Sequence, residues 1–95
     1  MRGDKRRDFR ESEKVKVTVK GTDSHGMSFE EQTQTVDLSA SGLSFYLNTP
    51  IFVRTFLSVE ISSNSLVAYI GKVQVLVVRI DTSSAGKQFV AAQFL

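Results

Sequence analysis

The sequence predicts an all-β fold, an antiparallel barrel or sandwich of six or seven short strands, on three observations. Apolar and polar residues alternate along most of the chain, turn residues recur at intervals of about ten, and no stretch carries a helical period. A barrel is the more economical choice for 95 residues, because closure removes exposed strand edges. That length holds one domain with a single modest core. A hydrophobic content of 41% with 23% charged residues is that of a folded chain and excludes disorder throughout.

Residues 1–13 read as a flexible basic arm, with Phe9 its one candidate for core packing, and residues 14–95 as the barrel. "KVKVTVK" (14–20) alternates strictly and puts Val15, Val17 and Val19 on one face of a half-buried strand. "GTDSHGMS" is a loop bounded by glycine. "EEQTQTVDL" (30–38) is a Thr-rich second strand with a mainly polar outer face, ended by "SASG". "LSFYL" (43–47) points Leu43, Phe45 and Leu47 one way. Pro50 falls between strands, where its missing N–H costs no ladder bond. "FLSVEIS" (56–62) points Leu57, Val59 and Ile61 one way and Ser58 and Glu60 the other; "SSNS" is a turn and "LVAYI" a short strand. "GKVQVLVVRI" (71–80) is the longest strand, and "QFVAAQFL" closes the fold after a flexible "DTSSAGK".

Several function classes are excluded or thinly supported. Gln74 and Arg79 interrupt even the Val-rich stretch, so no membrane helix is present. The charged N-terminal region is no signal peptide, so the location expected for the chain is the cytoplasm. The absence of cysteine rules out disulfides and thiolate metal sites. His25, the one histidine, reads as an exposed loop residue. It is also the sole ordinary candidate for a base that could activate a nucleophile. Glu30 and Glu31 are adjacent on a strand and face opposite ways, so they form no acid/base pair. No phosphate-cradling glycine pattern occurs. The chain is therefore read as a binding protein without catalytic residues, metal or cofactor.

Charge indicates what is bound. The net charge is +2, but Arg2, Lys5, Arg6, Arg7, Arg10, Lys14, Lys16 and Lys20 crowd the first strand and the arm before it. A basic arm on a nearly neutral body suits the capture of phosphates or an acidic partner. Within the arm, Arg6 and Arg10 are spaced R-x-x-x-R. "DLSASG" (37–42) fits [D/N]-x-S-x-x-G through Asp37, Ser39 and Gly42. At average residue frequencies the first pattern arises in roughly one chain in five of this length and the second in roughly one in twenty-five. One on an arm and the other at a strand end, in that order, is far rarer, so the conjunction carries the signal.

On these motifs, the strand pattern, the "ASGLSF" entry to the third strand and the closing "FVAAQF", the chain resembles the PilZ family, bacterial receptor domains for cyclic di-GMP. The resemblance runs from about Lys5 to Leu95. It implies a six-stranded antiparallel barrel and a regulatory, nucleotide-binding role in second-messenger signalling. It also implies that Arg6 and Arg10 are the family's arginine pair and that Asp37, Ser39 and Gly42 are its second motif.

The residue types suit that ligand. An arginine fork matches a phosphate or the O6/N7 edge of guanine with two parallel hydrogen bonds, which lysine cannot do. Asp37 can accept from guanine N1–H and N2–H. Ser39 can cap the turn or donate to a phosphate, and Gly42 permits positive φ or a close approach of backbone to ligand. Lys5 and Arg7 are auxiliary candidates that add diffuse attraction.

Two departures bear on detail. Lys5 stands where many relatives have a further arginine, leaving ligand stoichiometry open. Ala91 stands where the family often has glycine in the barrel wall. The expected partners are cyclic di-GMP and a downstream protein or attached domain. Two other readings are a PilZ-like protein-interaction module without nucleotide binding and, less favoured, a small-barrel RNA or DNA binder.

Overall fold

The computed structural model describes residues 14–61, 71–83 and 86–95. Six strands form a closed antiparallel barrel: β1 (Lys16–Thr22), β2 (Ser28–Leu38), β3 (Gly42–Leu47), β4 (Phe56–Ile61), β5 (Gly71–Thr82) and β6 (Gln88–Phe94). They run in the order β1-β2-β3-β6-β5-β4, and β4 returns to pair with β1. The choice between barrel and sandwich thus falls to the barrel. The "LVAYI" segment expected as a short strand lies outside the described residues, as do the "SSNS" turn and the arm. Among the described residues, no helix is long and apolar enough to cross a membrane.

Side-chain alternation builds the interior. Val17 and Val19 of β1, Leu43, Phe45 and Leu47 of β3, Leu57 and Val59 of β4, Val75 and Val77 of β5, and Val90 and Ala92 of β6 form one buried cluster, joined by Ile51. In β1, β3 and β4 these are the phases that the sequence pattern assigns to one face. Phe45 is fully buried while its neighbour Tyr46 is 42% exposed, as adjacent residues on a strand must be.

β2 is the exception, because the middle of its inward row, Glu31, Thr33 and Thr35, is polar, although Phe29 and Leu38 near its ends pack against the core. Thr35 is buried and its hydroxyl accepts the N–H of Val15 at 3.1 Å. Thr33 donates to the carbonyl of Tyr46 at 2.8 Å, and the Glu31 carboxylate accepts the N–H groups of Asn48 and Thr49 at 2.9 Å each. Thr33 and Glu31 satisfy backbone groups just beyond the end of the β2–β3 ladder, and Thr35 satisfies one just before β1, groups that a Val-rich strand would leave unpaired. Gln88 does the same from β6, donating to Thr49 O at 2.6 Å and accepting Ile51 N–H at 3.3 Å. The segment after β3 is thereby tied to the barrel base.

The first hairpin is longer than the sequence pattern indicates. Gly21 pairs with Phe29 and Thr22 with Ser28, so the ladder continues into residues whose composition reads as loop. The loop that remains is closed by Asp23. Its carboxylate accepts the N–H groups of His25 at 2.8 Å and Met27 at 2.9 Å, and Gly26 supplies the positive φ of 84° that the turn requires. His25 is exposed there, as expected.

Candidate functional site

Two β-bulges shape the outer wall of the barrel. In β2 the register shifts between Thr35, opposite Phe45, and Asp37, opposite Ser44. Val36 is the extra residue, so Asp37 leaves the inward phase it would share with Thr35 and faces outward. In β5 the register shifts between Val77, opposite Ala92, and Arg79, opposite Ala91. Val78 is the extra residue here, and Arg79 leaves the inward phase of Val77. Strict alternation would have buried both charged groups, and each bulge instead aims one at solvent.

The bulges complete a row across four strands. Asp37 pairs with Ser44, Ser44 with Ala91, and Ala91 with Arg79. With neighbouring strands about 4.8 Å apart, the row spans roughly 14 Å along the wall. It runs along an open groove of about 930 Å³ that is also bordered by Ser39, Gly42, Val78 and Phe89, a volume typical of small-molecule sites. Small residues, Ser44 and Ala91, make the middle of the row. Tyr46 and Phe89 stand beside it in edge-to-face contact, with centroids 5.4 Å apart.

Electrostatics differ at the two ends. The Asp37 carboxylate is exposed and has no hydrogen bond or ion pair among the described residues. Arg79 is held by Asp81, two residues along the same face, through Nε–Oδ2 at 3.1 Å and Nη2–Oδ2 at 3.0 Å. Both side chains of that pair are more than half exposed, so the bond is weak and readily exchanged. Between the ends, Ser44 is only 6% exposed and its hydroxyl finds no hydrogen-bond partner among the described residues.

The "DLSASG" turn forms the rim at the Asp37 end. Ser39 N–H donates to Gly42 O at 2.9 Å, and the Ser39 hydroxyl accepts Ser41 N–H at 3.3 Å, which is the turn-capping option open to this residue. Phe94 N–H donates to Ser41 O at 2.9 Å, fastening the turn to β6. Gly42 does not adopt positive φ. Its lack of a side chain is needed for another close approach: a Cβ there would collide with the carbonyl oxygen of Ala92 and crowd Gln93 Cα. Gly42 therefore keeps β3 against β6 under the groove.

Asp37, Ser39 and Gly42 thus gather at one end of a single groove. Arg6 and Arg10, with Lys5 and Arg7, lie outside the described residues. Arg79 and Ser44 were not singled out by sequence reasoning. The available signal was one of phase: "VLVVRI" carries a Val-Val doublet that places Arg79 at an inward position, where an arginine is intolerable unless a bulge intervenes.

The PilZ domain family model matches residues 4–95. Among solved structures, the chain is similar to the Bacillus subtilis inhibitor of motility MotI/DgrA, with a TM-score of 0.69 and 16% identity over 99% of this chain and 44% of that one. It is also similar to K. pneumonia MrkH in its complex with c-di-GMP, with a TM-score of 0.59 and 15% identity over 98% of this chain and 45% of that one. A third is the PilZ domain of YcgR from Escherichia coli with c-di-GMP, with a TM-score of 0.64 and 14% identity over 97% of this chain and 79% of that one. At such identities the likeness shows the fold alone. The chain spans less than half the length of the first two structures. No curated protein matches the sequence.

Proposed function

The chain belongs to the PilZ domain family, and from that premise we propose that it is a cytoplasmic receptor module for cyclic di-GMP. The observation that carries this reading is the Asp37–Gly42 turn. It rims an open groove and presents a carboxylate with no partner among the described residues, in a chain that also carries Arg6 and Arg10. In this mechanism the Asp37 carboxylate accepts the N1–H and N2–H donors of one guanine. Ser39 and Gly42 hold the turn against β6. Arg6 and Arg10 close over the ligand, each fork engaging a phosphate or an O6/N7 edge, and Lys5 and Arg7 add attraction. The nucleotide brings arm and barrel together, and a downstream protein or attached domain reads the resulting surface. MrkH and YcgR, whose solved structures hold c-di-GMP, are consistent with this proposal.

Calorimetric titration tests it. Saturable heat is expected at micromolar protein and cyclic di-GMP, weakened by Arg6→Ala, Arg10→Ala and Asp37→Ala. No heat from the unaltered chain defeats the reading.

A specific observation favours a second reading, a protein-interaction module independent of the nucleotide. Phe52, Val53 and Phe56 are 63%, 48% and 58% exposed in and just before β4. Exposed aromatic and aliphatic side chains in one place are typical of protein contacts. Partner capture unaffected by cyclic di-GMP would support that alternative.

A further inference from the structure

We propose that Arg79 is a third ligand-reading arginine. Its guanidinium would leave Asp81 to engage a paired-acceptor edge of the bound nucleotide at the end of the groove opposite Asp37. The inference rests on the cyclic di-GMP reading and adds a contact outside both sequence motifs.

Three features carry it. The first is the bulge at Val78: an extra residue in the longest strand moves Arg79 from the interior phase to the groove. The second is the row itself, in which Asp37 and Arg79 stand about 14 Å apart with only Ser44 and Ala91 between them. An acceptor group at one end and a fork of donors at the other match a ligand with guanine donors on one side and phosphate or O6/N7 acceptors on the other. The third is the unpartnered hydroxyl of Ser44, more than nine-tenths buried and set in the groove floor. A buried hydroxyl without a partner is costly unless something else completes it.

Asp81 has a defined part in this scheme. In the free protein it holds the guanidinium over the wall through both Nε and Nη2. Because the pair is exposed, exchanging the carboxylate for a ligand acceptor costs little. Of the two arginines among the described residues, Arg79 alone borders the groove, since Arg54 lies in the turn before β4. Ala91, beneath the ligand path, sets how closely the nucleotide approaches the wall.

The test is calorimetric titration of cyclic di-GMP into the unaltered chain and into Arg79→Ala, Arg79→Lys, Asp81→Asn and Ala91→Leu, with thermal melts of each. Arg79→Ala is expected to weaken binding by about ten- to a hundredfold, as losing a charge-assisted pair does, with an unchanged melt. Arg79→Lys is expected to lose nearly as much, because a lysine keeps the charge without the fork. Asp81→Asn should bind as tightly as the unaltered chain or more tightly, and Ala91→Leu should bind weakly while remaining folded. An unaltered chain that binds while Arg79→Ala binds equally well overturns the role of Arg79 and leaves the receptor reading standing. Full rescue by lysine overturns the fork. A loss in Asp81→Asn as large as in Arg79→Ala makes the ion pair itself the needed element and also overturns the inference. An unaltered chain that does not bind overturns both readings.

Discussion

Asp37 and Asp23 are both exposed or nearly so, yet their carboxylates stand in opposite situations. Asp37 has no partner among the described residues, so replacing it should leave the fold within about 0.5 kcal/mol of its original stability. The same change should cost on the order of 1–3 kcal/mol in cyclic di-GMP binding. Parallel titrations and denaturant melts of Asp37→Ala check that separation. Asp23 is engaged: the N–H of Met27 foremost, then that of His25, holds its carboxyl below the usual aspartate range despite some opposing desolvation. A lowered folded-state value means the contribution is present above the unfolded value and lost as pH falls through the folded one. The 23–27 loop should therefore stay closed through mildly acidic pH and loosen only below the ordinary carboxylate range. Amide resonances of His25 and Met27 followed against pH should show a midpoint below that of aspartate in a peptide; a midpoint at or above it contradicts the assignment.

Strand packing makes two positions sensitive for different reasons. Gly42→Ala forces a methyl group onto the backbone of Ala92, and such overpacking should cost about 1–3 kcal/mol. For a chain this size each kcal/mol lowers the melting temperature by about 4–8 °C, so a melt reads the effect directly. Gln88→Leu removes the partners of Thr49 O and Ile51 N–H and should cost a similar amount through unsatisfied backbone groups. A melt unchanged by either substitution would show that the seam or the tie is less constrained than its geometry implies. Most strands were legible beforehand because their alternation is strict: the inward phases of Val17, Val19, Leu43, Phe45, Leu47, Leu57 and Val59 all emerge from spacing. The extra ladder pairs of the first hairpin were not, since Gly21, Thr22 and Ser28 carry turn composition and pair only because the opposite residues are in register. The bulges were hidden for a related reason. An inserted residue is defined by what faces it across the ladder, and neither Val36 nor Val78 differs in kind from its neighbours. The Asp37–Gly42 end of the groove was therefore readable as a motif, whereas Arg79 offered only an inward phase that its charge forbids, a conflict that the pairing of β5 with β6 resolves.

At the scale of the molecule, the described residues form a small closed barrel, the chain has a net charge of +2, and its basic side chains are concentrated toward one end of the sequence. That distribution would also suit a polyanion, and salt separates the two cases. A protein tracking a nucleic-acid backbone through six or more phosphates loses about a thousandfold or more in affinity between 50 and 200 mM salt. Cyclic di-GMP carries two phosphates and no condensed counterion atmosphere, so its affinity should fall by less than about tenfold over that range. A steep salt dependence, with single-stranded RNA bound as tightly as the dinucleotide, would favour the nucleic-acid reading. The central claim is that one ligand lies along the β2–β3–β6–β5 wall. It is tested most directly by mapping amide resonance shifts of the full chain on addition of cyclic di-GMP. The expected result is a contiguous set at Arg6, Arg10, Asp37 to Ser44, Ala91 and Arg79, with β4 and the Phe52–Phe56 face unmoved. Shifts confined to β4 and the Phe52–Phe56 segment, or none at saturating nucleotide, would contradict the account.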